Sequence, residues 1–283
     1  VSYVPPAELA RSMVDAGQSK VLMSTRDTLI RGFMGGALLT LAAAFAVTVT
    51  VQTGSALLGA VLFPVGFCLL YLLGFDLLTG VFTLTPIAYL DKRPGVTVAA
   101  IARNWALVFV GNFAGAFTVA VLITFILTYG YSIPPNDVAE KIMHIGEART
   151  VGYAEHGAAG MMTLFLRGVL CNWMVSTGVV AAMMSKSVPG KVLVMWMPVM
   201  LFFYMGFEHS VVNMFLFPAG LLLGADFSLG DYLVWNEIPT VLGNLVGGVV
   251  FVGLAIYTTH VRTQPKRVVT EPAPAAQREI ETV

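Results

Sequence analysis

The segment GFEHSVVNMF, residues 206–215, sets Glu208 and His209 side by side between long apolar runs. An unperturbed histidine exchanges a proton near neutral pH, and either ring nitrogen can donate or accept a hydrogen bond. In apolar surroundings such a group is costly, so it reads first as a place where a polar species is handled. Asn213 follows about one helical turn beyond His209. A second acid, Asp76, stands in the stretch GFDLLTG, with Thr79 three residues on. Thr79 and Asn172 are neutral polar groups in apolar runs, suited to lining a pore or to joining helices. Asp76, Glu208 and His209 could also be read as metal ligands of an intramembrane enzyme, but a single histidine between the two stretches argues against a metal site. No Walker loop, HExxH, CxxC or GxSxG motif is present. The expectation is therefore no enzyme, no metal or other cofactor, and no nucleic-acid partner.

The elements that position these groups follow from composition. Of 283 residues, 57% are hydrophobic and 11% charged, with a mean hydropathy of +0.80. Soluble domains carry about 25% charged residues, so the chain reads as an all-α integral membrane protein. Apolar regions at 29–51, 56–90, 99–130, 161–184, 191–224 and 238–260 give six transmembrane spans, each long enough for a bilayer core. Two of them, 56–90 and 191–224, are too long for one simple span, and each carries an acid near its middle, Asp76 or Glu208.

Displacing the sequence by 132 positions lays LYLLGFDLLTGVFTLTP (70–86) on FFYMGFEHSVVNMFLFP (202–218). The same offset lays GNFAGA (111–116) on GNLVGG (243–248) and Asn104 on Asn236. Each copy holds three spans, so the second enters the membrane from the opposite face. This is the pattern of two inverted repeats with broken second and fifth helices, whose substrate site lies between the repeats near mid-membrane. Asp76 and Glu208 are expected as structural markers of the breaks, bonding backbone N–H groups freed where a half-helix starts. His209 falls on Leu77, so the imidazole is the asymmetric feature of a symmetric scaffold.

Lys and Arg collect in the N-terminal arm, near residues 92–103, at 186–191 and in the tail, which places both termini in the cytoplasm. The organisation expected is a cytoplasmic amphipathic arm (1–28), the first repeat (29–130), an extracytoplasmic loop (131–160), the second repeat (161–260) and a disordered cytoplasmic tail (261–283). Phe63 and Phe67 share a helix face and Phe202 precedes the second break; such aromatics form either core or a hydrophobic constriction. Gly32/Gly36, Gly111/Gly115, Gly220/Gly224 and Gly243/Gly247 are small-residue pairs that permit close helix contact.

GFDLLTG, LCNWMVS, MSKS and GFEHSVVNM, which follow one another along the chain, together with the paired GN stretches, resemble the formate/nitrite transporter family, from PPAE to about His260. The resemblance implies an aquaporin-like protomer in a homopentamer, in the cytoplasmic membrane of a bacterium or archaeon. It would pass formate and related small monovalent anions, with protons assisting. Nitrite or hydrosulfide as the main substrate, or an aquaporin-like pore for a neutral solute, are the alternatives. By the same resemblance His209 is the central pore histidine. Asn172 orients it and touches substrate, and Thr79 stands opposite. Phe63, Phe67, Phe202, Leu77 and Leu78 form the constrictions. The family's vestibule lysine, sixteen residues before the asparagine, is replaced here by His156.

Overall fold

The computed structural model describes residues 3–263. Among them the only extended pairing is an isolated bridge between Tyr3 and Ser185; the rest is helix and connection. An amphipathic α1 (Pro6–Leu22) leads into α2 (Thr25–Thr53), then α3 (Ala56–Leu62), α4 (Pro64–Leu72), α5 (Leu78–Leu90) and α6 (Val98–Leu127). A second amphipathic helix, α7 (Asp137–Ala148), and the single turn α8 (Val151–Ala154) precede α9 (Gly157–Met183), α10 (Val188–Tyr204) and α11 (Ser210–Leu223). The last helix, α12, runs Leu229–Arg262 with π-helical stretches inside it.

Among the described residues four helices, α2, α6, α9 and α12, are long and apolar enough to cross a membrane. The other two apolar regions are divided, at 73–77 between α4 and α5 and at 205–209 between α10 and α11. The connection at 131–160, expected as an extracytoplasmic loop, contains α7 and α8. Of the tail expected to be disordered, residues 264–283 lie outside the described residues, while Val261 and Arg262 still belong to α12. Cys68 and Cys171 are both free thiols in the interior.

Local chemistry explains the helix ends. Ser24 Oγ accepts the Asp27 N–H at the start of α2, Thr97 Oγ1 the Ala100 N–H at the start of α6, and Asn136 Oδ1 the Ala139 N–H at the start of α7, each at 3.1 Å. Gly224, at φ +92°, ends α11 in a left-handed conformation. Its pairing with Gly220 is therefore a helix stop, and Gly220 faces the Phe227 ring, so the expected helix-contact role does not hold there.

Glycine does bring α2 against α6 and α9 against α12. A Cβ at Gly36 would sit 2.3 Å from the Asn112 carbonyl oxygen, and one at Gly115 would sit 2.0 Å from that of Phe33. One at Gly247 would sit 2.3 Å from that of Val169. Because these obstacles are backbone, Gly115→Val is expected to destabilise the protein by about 2–3 kcal/mol or to prevent assembly. Thermal unfolding in detergent checks this, and an unchanged midpoint would contradict the packing.

Two matching hydrogen-bond frames hold the breaks. Asn112 Oδ1 accepts the Leu78 N–H at 2.9 Å, and its Nδ2 donates to the carbonyls of Gly32 and Asp76. Asn244, 132 residues on, accepts the Ser210 N–H at 3.0 Å and donates to the carbonyls of Gly168 and Glu208. Asp76 N–H donates to Arg31 O, and Glu208 N–H to Arg167 O. The expected capping role of the two acids is thus filled by two asparagines. The carboxylates turn elsewhere: Asp76 pairs with Lys20 of α1, and Glu208 Oε1 lies 3.6 Å from Nε of Arg149, just past α7.

The match reaches those amphipathic helices too. Asn104 Nδ2 donates to the Lys20 carbonyl and Asn236 Nδ2 to the Arg149 carbonyl, each at 2.9 Å. Each frame therefore unites an amphipathic helix, a break acid and the base that faces it.

Candidate functional site

His209 is the last residue of the second break, extended at φ −113° and ψ 114°. This conformation turns its ring back so that Nδ1 accepts the Val211 N–H at 3.2 Å. A neutral ring so placed carries its hydrogen on Nε2. Nε2 lies 3.5 Å from Thr79 Oγ1, at the start of α5. Phe202 stacks on the imidazole at 5.5 Å between centroids.

Two cavities adjoin this contact, one at each of its side chains. One, of about 160 Å³, is lined by His209, Phe202, Asn213, Lys141 and Arg149 among others. The second, of about 190 Å³, is lined by Thr79, Phe67, Leu77, Asp76 and Lys20 among others. His209 belongs to the first and Thr79 to the second, so the barrier between them includes the closest approach of these two side chains.

The remaining candidates divide. Phe63 is fully buried and lines neither cavity; it stacks on Phe203 at 3.9 Å and meets Phe202 edge-on. Leu78 is likewise buried and faces neither. Asn172 makes no hydrogen bond to His209. Its amide donates to the backbone carbonyls of Thr79 and Asn244, and its oxygen accepts from Ser176. It therefore holds the peptide carrying Thr79 against the other break's scaffold. Asn213 Nδ2 donates to Glu208 Oε2 at 2.9 Å and to Asn236 Oδ1 at 2.7 Å.

His156 is not among the residues that line the two cavities. It is exposed ahead of α9, whereas Lys141 and Arg149 supply the cationic lining on the His209 side. Lys141, Ile145 and Arg149 recur at the i, i+4, i+8 spacing of one helix face, and all three line that cavity. The spacing was visible in the sequence but lay in a segment expected to be a loop. Tyr153, also unanticipated, donates to Glu208 Oε1 at 2.8 Å and accepts from Arg167 Nη1 at 2.7 Å. Glu208 is therefore fixed by neutral donors on both oxygens and lies close to a base.

Chemically, the arrangement offers a hydrogen-bond donor and a hydroxyl at an otherwise apolar barrier, with a base lining the cavity on either side. The family model for the formate/nitrite transporter matches residues 7–258. The chain belongs to the formate/nitrite transporter family. A relative from Methanothermobacter thermautotrophicus, described as a "Probable formate transporter", is 31% identical over 92% of this chain and 98% of its own. Among solved structures, an "FNT family ion channel" superposes with a TM-score of 0.77 at 22% identity, covering 89% of this chain and 98% of that one. A "Pentameric formate channel with formate bound" gives 0.69 at 24% identity, covering 83% and 97%. At these identities the structural likenesses establish a shared fold. For this formate/nitrite transporter family member, the helices long and apolar enough to span a bilayer agree with a membrane protein.

Proposed function

We propose that this chain forms a channel for formate and related small monovalent anions, with His209 as the polar group at its narrowest point. The observation that carries the reading is the His209–Thr79 contact at the junction of the two cavities. A bare anion entering an apolar barrier loses its hydration at large cost. A hydrogen bond or a proton from His209 offsets that cost where the walls are phenylalanine and leucine.

In this reading each protomer has six spans, the two divided regions counting as one span each. The repeats at 29–130 and 161–260 are inverted relative to one another, and both termini face the cytoplasm. The matching asparagine frames support the repeat, and the family's pentameric relative supports a homopentamer with one pore per protomer. Phe67, Leu77 and Phe202 form the constrictions, with Phe63 and Leu78 packed behind them. The protein resides in the cytoplasmic membrane of a bacterium or archaeon.

The test is flux into proteoliposomes under a potassium-clamped voltage, comparing formate, nitrite, hydrosulfide and glycerol at mildly acidic and mildly alkaline pH. Formate flux that rises on acidification is the expected result. Glycerol flux without any anion flux would sink the reading and make His209 scaffold.

A further inference from the structure

We propose that Arg149 is a selectivity element that favours planar, two-oxygen monoanions, the carboxylate and nitrite class, over compact single-centre anions such as hydrosulfide. The inference rests on the anion-channel reading and names the substrate class of its His209-side cavity.

Two basic side chains line that cavity, and they differ in kind. Lys141 is exposed near the start of α7 and is a point charge on a flexible stem. Arg149 is built in. Its N–H closes onto Ile145 O, and its own carbonyl receives Asn236 Nδ2 at 2.9 Å. Its Nε edge faces Glu208 Oε1 at 3.6 Å. Tyr153 and Asn213 hold the Glu208 carboxylate in place, so the guanidinium plane has a fixed neighbour to align on.

At the far end, Nη2 lies 3.7 Å from where a Cβ would stand on Gly206, a residue at φ +65° in the second break. The missing side chain leaves the guanidinium beside the break that carries His209. Among the described residues neither terminal nitrogen of Arg149 donates a hydrogen bond. The guanidinium thus has a carboxylate beside one edge and unbonded terminal nitrogens, and Arg149 lines a cavity of about 160 Å³ shared with Phe202 and His209. A free pair of parallel N–H groups matches the two oxygens of a carboxylate or nitrite, whereas a single-centre anion can use the charge but not the fork.

The counterpart frame sharpens the contrast. Asn104 holds the carbonyl of Lys20, which pairs with Asp76 and lines the other cavity. The same kind of frame therefore accommodates an ammonium on one side and a guanidinium on the other. Only the His209 side has the fork.

The experiment measures anion currents in planar bilayers, where uncharged formic acid and hydrogen sulfide carry none. In the parent protein, formate and nitrite are expected to bind about tenfold more tightly than hydrosulfide, read from half-saturating concentrations and mutual competition. Arg149→Lys keeps the charge and a side chain that the matching frame accepts. It is expected to weaken formate and nitrite about tenfold and hydrosulfide less than about twofold. Lys141→Gln is expected to weaken all three alike. Equal affinities in the parent, or an unchanged formate-to-hydrosulfide ratio in Arg149→Lys, would overturn the role of Arg149 while leaving the anion channel standing. A parent that passes glycerol but carries no anion current would instead overturn the channel reading itself.

Discussion

His209→Phe is expected to reduce acid-driven formate uptake by about a hundredfold, whereas His209→Asn should hold electrogenic formate current within about tenfold and lose its stimulation by acid. The difference follows from what each side chain leaves facing Thr79. In the parent, Nδ1 is engaged by the Val211 N–H, so the hydrogen available for an anion is on Nε2, 3.5 Å from the Thr79 hydroxyl. Phenylalanine fits the stack on Phe202 and keeps the barrier's shape, but removes the donor. An anion crossing there without a compensating bond faces a penalty of about 3 kcal/mol or more, which sets the hundredfold figure. Asparagine restores a neutral donor worth about 1–1.5 kcal/mol but has no proton to exchange. Paired measurements of net uptake from acidic medium and of voltage-driven current separate the two effects. Equal loss of both modes in the asparagine variant would remove proton exchange from the role of His209 and leave it a hydrogen-bond donor.

The parts of this site that the sequence made legible are those encoded in its periodicity. Long apolar runs announced the helices, and the 132-residue displacement located both breaks, because it lays one over-long, acid-bearing span on the other. The asymmetry of His209 against Leu77 followed from the same alignment. What escaped was partner choice across large sequence distances. Asp76 and Glu208 stand one or two residues from freed N–H groups, so local chemistry nominates them as caps. The structure instead brings Asn112 and Asn244 to those groups from 34 residues away. Those asparagines were visible in the paired GN stretches, yet nothing local says that a mid-helix amide will satisfy another helix's start. The acids are thereby released to face Lys20 and Arg149, and this is why the cations of the two cavities come from amphipathic helices that the sequence reading had left outside the repeats. Counting sixteen residues back from Asn172 nominates His156, whereas the cations that line the cavity, Lys141 and Arg149, stand earlier in the chain, on and just past α7.

Asn244→Ala tests whether this division of labour holds the pore together. The substitution strips partners from three backbone groups, Ser210 N–H and the carbonyls of Gly168 and Glu208. Burial leaves them little access to water. The Gly168 carbonyl keeps its partner within α9, so two groups are left unsatisfied; at about 1–3 kcal/mol for each, the loss is at least about 2 kcal/mol, equivalent to a fall of about 5 °C in the unfolding midpoint. Asn112→Ala removes the same three bonds from the matching frame and should cost a similar amount. Function is expected to divide the two variants. Asn244 sets the peptide on either side of His209, so its loss lets the imidazole leave Thr79, and formate flux per folded protein should fall by more than about tenfold. Asn112 sets Leu77 and Leu78, which carry no donor, and its variant should conduct better than that of Asn244 at equal stability. Thermal unfolding in detergent and flux normalised to assembled protein give the comparison. Widely unequal stability losses would mean that the two frames do not do equal structural work. Equal flux losses would mean that the second frame stabilises the protein without aiming His209, and the asymmetry of the pore would then rest on the imidazole alone.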